Sequence, residues 1–297
     1  MRSLRALVIY LVTVFIGGSL LAPWLWRLAQ LAGYPALAQA PFHRFVDRSF
    51  LILALAGLWP LLRVLGATTG REMGLISPWG QGRRLAGGLG LGFGSLALLA
   101  ALVLGGHERV WLHPLPAGKI AGSVLGAAGT AALVAGLEEI LFRGGVFGGL
   151  RRILPWPTAL GISSAIYALV HFLERAELAG PVHWNSGLVL LPQMLAGFMD
   201  WHRLVPGFFN LTLAGVLLGL AYQRTGNLYF SIGLHAGWIF WLKIYAAFTV
   251  AATPAVDWFW GTGKMIDGWL AFLVLLAVLG GLTLWPLETG RVPPAES

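Results

Sequence analysis

The chain has 297 residues, of which 57% are hydrophobic and only 11% charged. Soluble domains carry roughly 25% charged residues, so a water-soluble enzyme of ordinary composition is excluded, and the wealth of Leu, Val, Ala and aromatic residues excludes disorder. Forty-one glycines without a Gly-X-Y period exclude collagen, and the absence of cysteine excludes disulfide frameworks, cysteine-based metal sites and a thiol nucleophile. What remains is an all-α, polytopic membrane protein. The formal charge of +8 comes from basic residues scattered singly or in pairs, such as Arg83-Arg84 and Arg151-Arg152. Between apolar runs these read as topology signals and contacts to anionic lipid, not as a nucleic-acid surface.

A helical span needs about 20 apolar residues. In chain order the expected spans are Leu4–Leu25, Ser49–Leu65, Leu85–Gly105, Ile120–Phe142 (continuing to about Gly149), Pro155–Phe172, Pro206–Tyr222, Leu228–Val250 and Gly268–Trp285, eight in all. The first lacks a small-x-small cleavage site and reads as a retained span, not a signal peptide. The apolar stretch Gly187–Met199 is too short to cross and is expected to be interfacial or re-entrant. Eleven basic residues then fall on the side of the N-terminus and eight opposite, with Lys243 inside a span. That bias predicts both termini in the cytoplasm, and the composition suggests a bacterial inner membrane. Neither a repeat nor a low-complexity linker interrupts the chain, so one transmembrane domain is expected over 1–287, with a catalytic core at about 120–245 and a polar tail at 288–297.

Ionisable residues inside spans are costly and mark function. Three clusters stand out. In Leu137-Glu138-Glu139-Ile140-Leu141-Phe142-Arg143, Glu139 and Arg143 are i,i+4 neighbours with the acid N-terminal, the better order for a pair. Arg143 can hold Glu139 ionised, which leaves Glu138 on another face for chemistry. A charge cluster at a membrane boundary would look the same. In the fifth expected span, Tyr167 and His171 are also i,i+4. In the seventh, Gly233, Ala236 and Gly237 surround His235 and would let another helix or a substrate backbone approach closely. Each histidine alone could be a buried structural one. Together, acids and histidines from three helices admit two hydrolytic chemistries. In one, Glu138 and His171 polarise water while His235 stabilises the oxyanion; in the other, Glu138, His171 and His235 bind zinc with an open position for water.

The order Glu138-Glu139-x-x-x-Arg143, then Tyr167-x-x-x-His171, then the stretch from Gly215 through Arg224-Thr225-Gly226-Asn227-Leu228 to Ile232 and His235 resembles the CPBP family of intramembrane endopeptidases. The family takes its name from CAAX proteases and bacteriocin-processing enzymes. The resemblance covers about residues 120 to 245. It implies an eight-helix fold with the active site inside the helix bundle, opening toward the cytoplasm. Glu138 and His171 become the water-activating pair, His235 the oxyanion donor, and Glu139 and Arg143 their supports. It favours a metal-independent glutamic protease, so no cofactor is expected, with zinc as the alternative. The expected partners are a membrane-associated peptide or protein substrate and the lipid bilayer, and not nucleic acid.

One departure bears on the chemistry. The family carries Asn or Asp four residues after the last histidine, where this chain has Ile239. Losing one oxyanion donor typically costs about 10²–10³ in rate. Asn210, Trp238 and Lys243 are the expected substitutes, Asn210 foremost, and Tyr167 stands in place of the commoner phenylalanine as a supporting residue. The resulting expectation is an endopeptidase; the rival, favoured by Ile239, is a non-catalytic binding or immunity protein that keeps the fold. His43, His107, His113, His183 and His202 are read as loop residues, and Asp257 and Asp267 as solvated.

Overall fold

The structure, a computed structural model, describes residues 2–66, 69–112, 116–252 and 258–284. The expectations for His113, Asp257, Trp285 and the tail 288–297 lie outside the described residues. In chain order the principal helices are α1 (Arg5–Ala32), α2 (Phe42–Val64), α3 (Gly82–Gly105), α4 (Ala117–Leu150), α5 (Trp156–Val170), α6 (Ser186–Phe198), α7 (Trp201–Thr225), α8 (Tyr229–Phe248) and α9 (Trp269–Leu284). Among the described residues the protein is all-α apart from a two-stranded antiparallel ribbon, β1 (Arg109–Trp111) with β2 (Thr249–Ala251).

Helices occupy all eight segments expected to span. Five are long and apolar enough to cross a membrane: α1 to α4 and the Leu204–Thr225 part of α7. The other three expected spans are not among them. α5 has 15 residues, about 22 Å at 1.5 Å per residue, short of a hydrocarbon core of about 30 Å, and the described part of α9 has 16. α8 has the length, with 20 residues, but carries His235 and Lys243. In the stretch expected to be interfacial, the α-helical part of α6 is nine residues long, about 14 Å, which cannot cross.

The chain divides into two compact units, residues up to 68 with 170–200, and residues 69–169 with 201 onward. The first is built on α1, α2 and α6, with Ala22, Phe45, Val46, Leu190 and Met194 at its core. There a Cβ on Gly187 would lie 2.0 Å from the Ser19 carbonyl oxygen, so the lack of a side chain lets α6 reach the backbone of α1.

The second unit centres on Leu96, Leu99, Leu217, Leu218, Leu234 and Leu275. Its closest crossing joins α3 to α8. A Cβ on Gly88 would sit 2.1 Å from the Phe230 oxygen and one on Gly92 2.1 Å from the Leu234 oxygen. From the other side, Gly233 would meet the Leu85 oxygen at 2.1 Å and Gly237 the Phe93 nitrogen at 2.5 Å. Each helix thus contributes a Gly-x-x-x-Gly step, the pattern that lets membrane helices touch backbone to backbone. Two ends pin this crossing. Arg109 donates from Nε to Thr249 Oγ1 at 2.9 Å beside the ribbon. At the start of α8, Asn227 Oδ1 accepts from the Tyr229 N–H at 3.1 Å across a turn in which Gly226 has φ of +70°.

Neighbouring glycines on α3 should therefore respond with opposite signs. Gly92→Ala is expected to lower stability by about 1–3 kcal/mol through overpacking. Gly90→Ala, whose Cβ would meet nothing within 4 Å, is expected to raise it by about 0.5–1 kcal/mol through helix propensity. Thermal unfolding of the purified protein in mild detergent measures both; equal effects would mean that α3 and α8 do not cross at Gly92.

Candidate active site

Glu138 and Glu139 end the α-helical part of α4, and the next eight residues, Ile140–Phe147, form a π-helix that carries Arg143. A π-segment loosens the i→i+4 ladder and is found disproportionately at functional sites. Across this junction Arg143 Nη1 stands 3.1 Å from Glu139 Oε1, with both side chains buried, 2% and 0% exposed. The i,i+4 pair expected from the sequence is present. A second bond fixes the same carboxylate, because His235 Nδ1 lies 2.9 Å from Glu139 Oε1. A carboxylate oxygen accepts, so the ring nitrogen facing it carries the proton.

That bond directs the other ring nitrogen. His235 Nε2 lies 3.7 Å from Glu138 Oε2 and 3.4 Å from the Tyr167 hydroxyl. Glu138 is the more open of the two acids, 24% exposed against 0% for Glu139. Tyr167 is itself buried, with Phe142 edge-on at 5.1 Å between centroids and the Arg143 guanidinium carbon 4.4 Å over its ring. The result is a buried chain, Arg143 to Glu139 to His235, that presents Nε2 between a carboxylate and a phenol. Buried charges are tolerated when they are paired, as Glu139 and Arg143 are here.

His171 is placed differently from the expectation of a helical residue sharing a face with Tyr167. α5 ends at Val170, and His171 is an exposed residue of the turn that follows, belonging to the first unit. Glu138, Glu139, Arg143, Tyr167 and His235 all belong to the second.

Two expected oxyanion donors are corrected. Asn210 donates from Nδ2 to the carbonyl oxygens of Ile266 and Gly268, at 2.9 and 2.8 Å, so both its amide hydrogens hold the segment leading into α9. The Trp238 indole N–H donates to Ser95 Oγ at 2.9 Å. Both residues line the same buried cavity as His235, Tyr167 and Ile239, but their donors are directed elsewhere. Ser95, Gly88 and Gly92 are the residues that sequence reasoning missed. A glycine-rich run in a span was visible, but which of its members faces α8 was not. Asp267, expected to be solvated, is buried and accepts from the Thr262 N–H at 2.8 Å.

Among the described residues, no three His, Cys, Asp or Glu side chains stand together as a metal-ligand set.

Residues 120–241 match the family model described as type II CAAX prenyl endopeptidase Rce1-like. Neither the curated proteins nor the solved structures gave a match. The matched segment contains Glu138, Glu139, Arg143, Tyr167, His171 and His235, and its limits fall close to the 120–245 expected from the motifs. Residues 120–241 of this polytopic all-α chain are thus similar to the Rce1-like type II CAAX prenyl endopeptidases, and the resemblance read from the three motifs holds over the segment that bears them.

Proposed function

We propose that the protein is a membrane-embedded endopeptidase that cleaves membrane-associated peptides or proteins, with a prenylated C-terminal peptide as the first substrate class to try. The family match over residues 120–241 carries this reading, and the linked Arg143, Glu139 and His235 beside Glu138 support it. In the proposed reaction Glu138 and His171 polarise a water, and Glu138 takes its proton as the oxygen bonds to the peptide carbonyl carbon. The carbonyl electron pair moves onto oxygen, and His235 helps hold the resulting oxyanion. Collapse restores the carbonyl, breaks the C–N bond and returns the proton to the leaving amine; the new carboxyl group then gives up its own proton, leaving one carboxylate and one ammonium group. General acid–base help of this kind is worth about 10²–10⁴ in rate and oxyanion stabilisation a comparable factor. The protein is read as an integral protein of a bacterial inner membrane with both termini in the cytoplasm.

A quenched-fluorescence prenylated peptide, incubated with the purified protein in detergent, tests the reading. Wild type is expected to cleave it, and Glu138→Gln and His171→Ala each to fall at least 100-fold, with full activity retained in a zinc chelator. Loss in chelator with recovery on added zinc would replace the glutamic mechanism by a metal one. Wild-type binding without cleavage would favour the non-catalytic reading to which Ile239 points.

A further inference from the structure

Resting on the endopeptidase reading above, we infer that the Tyr167 hydroxyl is the donor that, with His235, meets the developing oxyanion. The cavity beside His235 has a volume of about 40 Å³ and is otherwise lined mainly by aliphatic side chains such as Leu96, Ala214, Leu242 and Leu275. Four of its lining residues carry side-chain donors: Tyr167, Asn210, His235 and Trp238. Those of Asn210 and Trp238 are directed to Ile266, Gly268 and Ser95. Ile239, which also lines it, has none.

His235 alone makes an incomplete donor. Its Nδ1–H faces Glu139, so Nε2 donates only when the ring is an imidazolium and accepts when it is neutral. The Tyr167 hydroxyl keeps its own proton in either state, and can turn it from a neutral Nε2 to an incoming oxygen. Its hydroxyl stands 3.4 Å from Nε2, longer than a full hydrogen bond. An oxygen about 2.8 Å from each group fits that separation. The ring is also held before any substrate arrives, by Phe142 edge-on and by the guanidinium above it. Donors already aimed where charge develops lower a barrier without paying for reorganisation. The phenol proton stays on Tyr167 throughout; its hydrogen bond strengthens as the carbonyl oxygen gains charge and relaxes on collapse.

Tyr167→Phe in the full-length protein keeps the ring and its packing and removes only the hydroxyl. With the prenylated peptide, kcat is expected to fall about 100-fold while KM changes by less than threefold. Affinity for a peptide phosphonate that mimics the tetrahedral intermediate should fall by a similar factor, and the unfolding temperature should stay the same. Unchanged kcat in a cleaving background would overturn the inference and leave the endopeptidase reading standing. So would a rise in KM alone, which would mark a ground-state contact. A wild type that neither cleaves the peptide nor binds the phosphonate removes the endopeptidase reading and this inference with it. Should the phenylalanine variant fail to fold, ring-fluorinated tyrosine at position 167 offers a near-isosteric, stronger donor; an unaltered kcat there would equally overturn the assignment.

Discussion

Replacing Arg143 with leucine is expected to lower stability by about 3–5 kcal/mol and to abolish turnover. Both Arg143 and Glu139 are almost wholly buried, and removing one member of a buried ion pair leaves the other charge without compensation. In Arg143→Leu the Glu139 carboxylate would lose its buried cation and keep the His235 Nδ1 donor. The double variant Glu139→Leu with Arg143→Leu removes both charges and should recover much of the lost stability, because apolar replacement of a whole buried pair is often neutral or favourable. It should not recover activity, since His235 would then have lost the carboxylate that fixes its proton on Nδ1 and aims Nε2 at Glu138. Thermal unfolding in mild detergent, read beside the cleavage assay, separates the two effects. If the single and double variants unfold at the same temperature, the uncompensated Glu139 charge is not what destabilises the single variant. If the double variant cleaves the peptide, anchoring of His235 by Glu139 is dispensable and the buried chain is structural only.

The Glu139–Arg143 pair was legible in the sequence because its geometry is local. Four residues along a helix bring two side chains together whatever the rest of the chain does, and the π-segment between them does not undo this. The closeness of His235 to the paired acids was legible in a weaker sense, as polar residues in apolar spans that need one another. The small residues around His235 announced a close crossing, and Gly233 and Gly237 make it. What could not be read was which partners, far along the chain, would claim each polar group. Asn210 is bonded to carbonyls 56 and 58 residues away, and Trp238 to a hydroxyl 143 residues away. No spacing rule reports such pairings, so an amide on a neighbouring helix looked available when its hydrogens were already spent. Hydropathy likewise located helices at all eight expected segments, yet α5 comes out shorter than a hydrocarbon core. Apolar character reads through into flanking turns: His171 fell inside an expected span and lies in the turn after α5.

Ile239→Asn is expected to restore at least tenfold of the rate lost in Tyr167→Phe, and to change wild type far less. Ile239 faces the same cavity as Tyr167 and His235, so an amide there would place a new donor beside the oxyanion site. If one donor is worth about 10²–10³ in rate, the phenylalanine variant has that much to regain, whereas wild type already holds a donor from Tyr167. The two substitutions should therefore be strongly non-additive, as expected of residues that serve one function at contact distance. Burying an amide in an apolar cavity normally costs about 1–3 kcal/mol unless it finds a partner. This cavity offers one. Asn210 Oδ1 is a buried acceptor to which no described group donates, and it lines the same space. An asparagine at 239 could give one amide hydrogen to that oxygen and keep the other for substrate, so only a small fall in unfolding temperature is expected. The four-variant cycle, wild type, each single change and the double, reads out as kcat at saturating peptide. Additive effects would show that Tyr167 and position 239 do not share an oxyanion, and a double variant no faster than Tyr167→Phe would show that a donor placed here does not reach it.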